Sequence, residues 1–181
     1  MLVPCFNLDF YFFLIVFPKY IHDMDCTLVI HYVRHEFSEE ALGKDNFNLA
    51  QQARQATFTA YSPYSHFCVG AAVLLDNGET VCGSNQENAA FGAGTCAERT
   101  ALFYAHAHQP DVPVAAIAIA ARKEGEDFTL TPISPCGICR QALVEAETRA
   151  GHPIRVLLCG RNEVWEFATV KDILPFTFES F

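Results

Sequence analysis

Three cysteines and one glutamate have the types and the spacing of a catalytic metal site. Cys136 and Cys139 are three residues apart at a predicted helix start, so both sulfurs can face one point. Cys96 opens a second helical pattern, and Glu98 follows it by two residues. Three thiolates that leave a fourth coordination position open are typical of a catalytic zinc rather than a structural one. The sequence therefore predicts a zinc site on Cys96, Cys136 and Cys139.

Glu98 is placed to move protons beside that zinc without binding it. Zinc lowers the pKa of a bound water from about 15.7 to roughly 7, and a neighbouring carboxylate can take the proton and pass it to a substrate. Three thiolates leave the site with a net negative charge, which requires a compensating donor. Arg99 and Gln141 are the candidates to hydrogen-bond the ligand sulfurs.

Each of these residues also has an ordinary structural interpretation. A Cys-x-x-Cys pair alone equally fits core or redox cysteines. Glu98 alone fits a first-turn carboxylate that interacts with the helix dipole, and Arg99 alone fits a solvated helix residue. Pro135 before Cys136, together with Cys-Ala-Glu upstream, favours the metal site.

Length, charge and cysteine content restrict the function classes. With 181 residues, 51% of them apolar, the chain fits one domain with a sizeable core. A net charge of −9 with only 12 Lys and Arg argues against nucleic-acid binding and favours a small substrate. The eight cysteines include metal spacing and are not needed as a disulfide scaffold, so we expect a reducing compartment and a cytoplasmic protein.

The first 45 residues are predicted to be a partly apolar N-terminal extension, and 46–181 the functional domain. The apolar run 2–17 is short for a bilayer span and is not followed by a signal cleavage site, so we expect no membrane segment. Met24 is a possible native start. The β-branched and aromatic stretch 26–33 is predicted as a possible edge strand.

The remaining chain alternates helical and strand patterns. The predicted helices are 39–41 capped by Ser38, 46–60, a helix from Cys96 and 136–150, and the predicted strands are 68–75, 79–84, 114–121, 154–159 and 164–169. Asp76-Asn77-Gly78 is a strong hairpin signal between the first two strands. The order of elements predicts an α/β fold with one mixed five-stranded sheet and helices on both faces.

The residues of the site stand in motifs that resemble those of a known family. The motifs are Tyr61-Ser62-Pro63-Tyr64-Ser65-His66-Phe67, Val69-Gly70-Ala71-Ala72, Asn85-Gln86-Glu87-Asn88-Ala89-Ala90, Cys96-Ala97-Glu98-Arg99-Thr100-Ala101, Pro135-Cys136-Gly137-Ile138-Cys139-Arg140-Gln141 and Leu174-Pro175. In this combination the chain resembles the small homotetrameric cytidine deaminases of the cytidine and deoxycytidylate deaminase family. The resemblance implies a three-layer α/β/α fold, one zinc per subunit and Glu98 as the proton shuttle.

The same resemblance implies how a nucleoside is held. Asn85 and Glu87 would bind the ribose hydroxyls, Phe67 would line the pocket, and the main chain of Ala97 would contact the base. A neighbouring subunit would complete each pocket, and the matching positions are Ala89, Phe91 and Phe178. Phe91 stands where a tyrosine is common in the family.

The implied function is the zinc-dependent hydrolytic deamination of cytidine and deoxycytidine to uridine and deoxyuridine, with release of ammonia, in pyrimidine salvage. Zinc-activated water would attack C4 of cytosine. One alternative is a deaminase that acts on another cytosine-containing substrate. Another is a non-catalytic zinc module whose site is closed by a fourth protein ligand such as Cys82.

Overall fold

Six strands form one mixed sheet in the computed structural model, which describes residues 25–179. The strands are β1 (Val33–Glu36), β2 (Phe67–Leu75), β3 (Thr80–Ser84), β4 (Val114–Lys123), β5 (Arg155–Cys159) and β6 (Glu163–Phe167). Their order in the sheet is β1-β6-β5-β4-β2-β3. Only β4 and β5 are parallel among these strands; the other neighbours are antiparallel.

Within the described part of the chain, four α-helices cover the two faces of this sheet. They are α1 (Glu39–Leu42), α2 (Lys44–Ala56), α3 (Ala97–His108) and α4 (Gly137–Ala150). On one face Ala72 of β2 belongs to the same buried cluster as Leu49 and Ala53 of α2. On the other face Ala71 of β2 is buried with residues of α3 and α4. The three-layer α/β/α arrangement is therefore confirmed, and β4 is apolar on both sides because helices cover both.

Two glycines let strands and helices approach closely. A Cβ atom on Gly83 of β3 would lie 2.5 Å from the main-chain nitrogen of Ala101 and 2.8 Å from the carbonyl oxygen of Ala97, both in α3. A Cβ atom on Gly70 of β2 would likewise meet the main chain at the end of α2. The sheet thus sets the position of α3, the helix that carries Glu98.

The sheet has six strands rather than the predicted five. The sixth is an edge strand, and it lies after the stretch 26–33 where a possible edge strand was predicted, sharing only Val33 with it. No strand is present over 26–32; β1 begins at Val33 and pairs antiparallel with β6. Arg34 donates to Glu163 at 2.9 Å, and His35 pairs with Glu166 at 2.8 Å. These long-range partners, rather than local β propensity, select the four residues that join the sheet.

The helix predicted from Asn46 begins two residues earlier. Gly43, with φ of 73°, separates it from α1, and the Gly43 carbonyl accepts the N–H of Phe47 at 3.0 Å. At its other end α2 tightens after Ala56 into a 3₁₀ turn over Thr57–Thr59. The Ser38 cap is as predicted, since its hydroxyl accepts the N–H of Ala41 at 3.2 Å.

The predictions for residues 2–17 and for Met24 fall outside the described residues. The division of the chain at residue 45 stays a prediction, although β1 and α1 lie before it and contact the rest of the fold. Between residues 25 and 179, no helix has both the length and the apolar character needed to cross a membrane.

Candidate active site

Two helix N-termini bring the three predicted zinc ligands together. Cys96 is the N-cap of α3 and Cys136 the N-cap of α4, with Cys139 in the first turn of α4. The Cys96 and Cys136 sulfurs are 4.0 Å apart, the Cys136 and Cys139 sulfurs 3.5 Å, and all three lie within 4.8 Å of one another. The first-turn N–H groups of both helices favour negative charge at this point.

The donor set fits zinc. Two sulfurs that each lie about 2.3 Å from one tetrahedral zinc are about 3.8 Å apart, close to the separations observed here. The three thiols form the only group of this kind among residues 25–179 that could hold a metal ion. Soft thiolate ligands with no fourth protein ligand in the group are the donor pattern of a zinc site with an open position.

Hydrogen bonding already favours the thiolate form of Cys96. A hydrogen bond from Cys139 is the largest influence on the pKa of Cys96, and a hydrogen bond from Arg99 acts in the same direction. Burial opposes them, and the pKa of Cys96 is lowered to about 5. Arg99 Nη2 lies 3.8 Å from Cys96 Sγ, as predicted for a compensating donor. The pKa of Cys139 is raised, because this thiol is hydrogen-bonded to the Cys96 thiolate and is buried.

Glu98 lies in the first turn of α3 and is only 4% exposed. Burial raises the pKa of this carboxyl, and the negative charge of Cys96 raises it further. A raised pKa makes the carboxyl a better proton acceptor when ionised, and a general acid and base must both accept and donate a proton. The position and the electrostatics of Glu98 therefore suit a proton shuttle beside the thiol cluster.

A cavity of about 280 Å³ opens beside the thiol cluster. It is lined by Tyr64, Asn85, Gln86, Glu87, Asn88, Phe91, Gly94, Thr95, Cys96 and Arg99. Asn85, Glu87 and Cys96, which were predicted for one pocket, thus share one cavity. Phe91, which the resemblance assigns to the pocket of a neighbouring subunit, lines the cavity of its own chain. Its size is that of a small-molecule site.

Other predicted substrate residues lie outside the lining of this cavity. Phe67 is half-buried at the first residue of β2, and Ala97 is fully buried in the first turn of α3. Ala89 is exposed, and Phe178 lies near the C-terminus with its side chain 63% exposed. The contribution of Ala89 and Phe178 to the pocket of a neighbouring subunit stays a prediction.

Asn85 and Glu87 bind the main chain of the preceding loop and of β2. The Asn85 amide accepts the N–H of Val69 at 2.8 Å and donates to the Phe67 carbonyl at 2.9 Å. One oxygen of Glu87 accepts the N–H groups of Tyr64 at 2.9 Å and Ser65 at 3.2 Å. The Ser65 hydroxyl and these N–H groups lower the pKa of Glu87, which keeps it ionised. Both residues therefore shape the cavity wall as well as line it.

Gln141 was predicted to hydrogen-bond the ligand sulfurs, but its amide binds the main chain of Phe178 instead. Its amide nitrogen donates to the Phe178 carbonyl at 2.7 Å, and its amide oxygen accepts the Phe178 N–H at 3.3 Å. The prediction of Gln141 as a sulfur donor is corrected to a contact with the C-terminal main chain. Of the two candidate donors, Arg99 alone has a hydrogen bond to a cysteine sulfur among the contacts of the described residues.

Several cavity residues were not predicted as site residues. Tyr64 contacts the Phe91 ring edge-on, with the ring centroids 6.4 Å apart. Gln86 and Thr95 exchange two main-chain hydrogen bonds of 2.9 Å that close the loop between them. Tyr64 and Gln86 belong to the motifs quoted above, so the sequence offered a reason to include them. Thr95 belongs to none of these motifs, and only the structure shows that it faces the cavity.

Comparison with known proteins identifies the family. The profile described as "Cytidine and deoxycytidylate deaminase zinc-binding region" matches residues 44–151. A cytidine deaminase of Halalkalibacterium halodurans is 40% identical over 137 residues, which cover 74% of this chain and 94% of that protein. A cytidine deaminase of Sporosarcina psychrophila is 38% identical over 130 residues, covering 72% and 88%.

Solved structures agree with these relatives. The crystal structure of cytidine deaminase from Burkholderia pseudomallei matches with a TM-score of 0.59 and 38% identity, covering 72% of this chain and 97% of that one. That of cytidine deaminase from Mycobacterium tuberculosis matches with a TM-score of 0.56 and 32% identity, covering 74% and 96%. The matched range contains the three clustered cysteines and Glu98. This chain belongs to the cytidine and deoxycytidylate deaminase family.

Proposed function

We propose that the protein is a zinc-dependent hydrolase that deaminates cytidine and deoxycytidine to uridine and deoxyuridine and releases ammonia. The observation that carries this proposal is the convergence of three thiols within 4.8 Å, at two helix N-termini, beside the buried carboxyl of Glu98. Curated relatives named cytidine deaminase, 40% and 38% identical, support the substrate.

Cys96, Cys136 and Cys139 would hold one zinc per subunit. When bound, zinc would supply a water molecule activated for attack on C4 of the cytosine ring. Arg99 offsets the negative charge of the thiolates through its contact with the Cys96 sulfur. The dipoles of α3 and α4 add to that compensation.

Glu98 would move the protons of the reaction. Its carboxylate accepts a proton from the attacking water and delivers it to the ring nitrogen. It then accepts the second proton, from the hydroxyl group formed on C4, and delivers that proton to the departing amino group, which leaves as ammonia. The raised pKa of Glu98 suits this alternation, because a carboxyl that is too acidic would not donate near neutral pH. Hydrolysis then leaves uracil on the sugar and free ammonia.

Asn85 and Glu87 would orient the sugar, with Phe67 against the nucleoside and the main chain of Ala97 at the base. An amide and a carboxylate together can bind a sugar hydroxyl and reject molecules that lack it. The main-chain hydrogen bonds of Asn85 and Glu87 keep both side chains in fixed positions. That rigidity supports their use as a preformed sugar site.

We further propose a homotetramer in which Ala89, Phe91 and Phe178 of one subunit complete the pocket of a neighbouring subunit. Phe91, at the rim of its own chain's cavity, would then lie between two pockets. Phe91 is 86% exposed, an unusual state for a phenylalanine at the edge of a cavity. Phe103 and Ile138 are also exposed, beside a groove of about 470 Å³ between α3 and α4. A second copy of the chain would bury these apolar surfaces.

Pyrimidine salvage in the cytoplasm is the setting that suits this chemistry. The described cysteines are all free thiols, and three of them need to stay reduced to bind a metal. A compartment with a reducing poise preserves that state.

Replacement of Glu98 by glutamine tests the proposed activity. Cytidine turnover, followed by loss of cytidine absorbance and by ammonia release, should fall by a factor of about 10²–10⁴ or more. The zinc content of the Glu98→Gln variant should remain that of the parent, because Glu98 is not a ligand. Retained turnover would refute the proton shuttle, and a parent protein without bound zinc would refute the metal site.

Two alternatives have less support. For a closed structural site, Cys82 would have to join the cluster, but its sulfur lies on β3 and contacts the Gln52 amide oxygen at 3.8 Å. For a polynucleotide substrate, the net charge of −9 opposes binding of a phosphate backbone. A side-by-side assay of cytidine and a cytosine-containing oligonucleotide distinguishes the second alternative.

A further inference from the structure

Arg140, the residue directly after Cys139, binds the loop that leads into the thiol cluster. Its Nε donates to the Pro135 carbonyl at 2.8 Å, and its Nη2 donates to the Ser134 hydroxyl at 3.0 Å. Its main-chain N–H donates to the Cys136 carbonyl at 2.9 Å. The last of these is an ordinary main-chain bond of α4, so it is the side chain of Arg140 that holds the two residues immediately before Cys136.

The third arm of the same guanidinium reaches the end of the chain. Arg140 Nη1 donates at 3.0 Å to the carbonyl of Ile173, a core residue that is 7% exposed. We define 173–179 as the C-terminal segment. The next residue of α4, Gln141, binds the main chain of Phe178 in the same segment through both ends of its amide. Two consecutive side chains thus tie the start of α4 to the C-terminal segment.

We propose that Arg140 is a positioning residue that couples the Cys136 side of the metal site to the C-terminal segment. The inference rests on the proposed zinc site and deepens it. The Arg140 side chain acts on the metal through the Pro135 carbonyl and the Ser134 hydroxyl, which fix the chain that leads into Cys136. Gln141 binds Phe178, the residue proposed to complete a neighbouring pocket. Arg140 therefore positions the metal-ligand loop, and Gln141 positions the C-terminal residue.

The shape of the guanidinium is what allows this coupling. A planar fork with five N–H donors satisfies three acceptors that lie in different directions, which the single ammonium of lysine does not reproduce. Without Arg140, the carbonyls of Pro135 and Ile173, both in buried residues, lose their side-chain donor. The ligand loop and the C-terminal segment then relax independently.

Zinc release from the loaded full-length protein is the first test. In the Arg140→Ala variant, release to a chelator should be about 10- to 100-fold faster than in the parent, the effect typical of residues that orient metal ligands. Arg149→Ala is the matched control, because Arg149 lies on the same helix and donates to one carbonyl, that of Pro110. Release at the rate of the Arg149→Ala variant would overturn the inference.

Arg140→Lys keeps the positive charge and serves if the alanine variant fails to fold. It should release zinc faster than the parent, and its cobalt-loaded form should show altered d–d absorption bands, which report the geometry of the thiolates. Circular dichroism of each variant establishes that it is folded. Parent-like release together with a parent-like cobalt spectrum in Arg140→Lys would count against the coupling.

Hydrogen exchange of the C-terminal segment tests the coupling from its other end. Because coupling is reciprocal, zinc loading should slow exchange over 173–179 in the parent, and this effect should be lost in Arg140→Ala. Gln141→Ala should expose the Phe178 amide while it keeps the parent rate of zinc release. An exchange pattern in the parent that zinc does not change would overturn the inference.

These measurements use no substrate, so their outcome is separable from that of the proposed function. A protein that binds zinc but leaves cytidine unchanged would refute the activity and leave the role of Arg140 standing. A protein that deaminates cytidine, in which Arg140→Ala behaves as Arg149→Ala, would refute the role of Arg140 alone. A parent that binds no zinc would refute both before any variant is compared.

Discussion

Single residues of this site serve the fold and, in the proposed function, the substrate as well. One carboxylate oxygen of Glu87 accepts two main-chain N–H groups. The Asn85 amide accepts one main-chain N–H of β2 and donates to one main-chain carbonyl of β2. Each keeps further hydrogen-bonding capacity for a ligand, since a carboxylate has about four acceptor sites and an amide has two N–H groups. Loss of either side chain therefore disturbs the cavity wall and the ligand contact together.

Phe91 offers a cleaner residue-scale prediction, because its side chain is 86% exposed and contacts Tyr64 only by its edge. Phe91→Tyr should add a hydroxyl at a position where the family commonly has one. We expect KM for cytidine to fall by a few-fold with kcat nearly unchanged, the pattern of added uniform binding. Steady-state kinetics with cytidine and deoxycytidine measure this, and a change confined to kcat would contradict it.

The residues that were predictable are those whose chemistry is local in the sequence. Cys96 with Glu98, and Cys136 with Cys139, are two or three residues apart, so a helix start brings each pair together. Gln141 was misassigned because its partner Phe178 is 37 residues away and belongs to a segment without a periodic pattern. Arg140 is missed for the same reason, since Ile173 is 33 residues distant.

At the scale of elements, the placement of α3 depends on Gly83. Gly83→Ala would put a methyl group 2.5 Å from the Ala101 nitrogen, against main-chain atoms that cannot swing away. Such overpacking costs about 1–3 kcal/mol of unfolding free energy, and we expect weaker zinc binding as α3 shifts. Gly92→Ala is the control, because nothing lies within 4 Å of its added Cβ.

Urea unfolding and zinc titration of the two glycine variants check this expectation. The Gly92→Ala variant should stay within about 0.5 kcal/mol of the parent, as surface substitutions usually do. Equal stability of the Gly83→Ala variant and the parent would show that α3 is free to adjust, contrary to the close approach of its backbone.

A second element-scale prediction concerns His152, which joins the end of α4 to the hairpin turn. Its Nε2 lies 3.0 Å from Asp76 Oδ2, and its Nδ1 lies 3.2 Å from the Pro153 carbonyl. Hydrogen bonding to Pro153, then to Asp76, raises the pKa of His152 above its ordinary value of 6.5. Its contribution to stability is therefore complete below pH 6.5 and is lost as the pH rises through the higher pKa of the folded state.

Replacement of His152 by asparagine should accordingly lower Tm more at pH 6 than at pH 9. The effect is small, up to about 1 kcal/mol, because both side chains of the pair are partly exposed. Asp76→Asn is the matched control. It removes the carboxylate that helps to raise the pKa of His152, so the dependence of Tm on pH should become weaker but should not vanish. A Tm difference that grows towards pH 9 would reverse the assigned sign.

Most elements were predictable because their signals are local. The hairpin turn at Asp76-Asn77-Gly78 is confirmed, the helix predicted over 136–150 ends at residue 150 with Gly151 as its C-cap, and β4 was evident from its apolar run. The edge strand was misplaced because 26–32 has β-branched residues but no strand partner, whereas β6 pairs with Val33–Glu36. Which distant segments pair depends on the packing of the whole sheet, so the β propensity of a short stretch of sequence does not predict it.

At the scale of the whole molecule, the exposed apolar surface of α3 and α4 predicts self-association. Phe103→Glu should place a charge beside the groove that a second copy is proposed to cover, and desolvating it there is costly. We expect a shift to smaller species in size-exclusion chromatography with light scattering, and a loss of activity from incomplete pockets. Phe58→Glu, at an equally exposed phenylalanine outside this groove, is the control.

An oligomeric state of the Phe103→Glu variant that equals that of the parent would exclude this surface as the interface. Dissociation in both variants would point to general destabilisation, which thermal unfolding would reveal. Dissociation with full activity would contradict the proposal that neighbouring subunits complete the pockets.

The wide separation of the clustered thiols along the chain has a consequence in polymer terms. Cys96 and Cys136 are 40 residues apart, with all of β4 between them. An ion bound by both is a cross-link across that loop, and by the chain-entropy relation for cross-links a loop of this length is worth about 4 kcal/mol. The ion that supplies the chemistry would then also restrict the unfolded chain, and its removal would shift the balance towards unfolding even where no catalytic contact is disturbed.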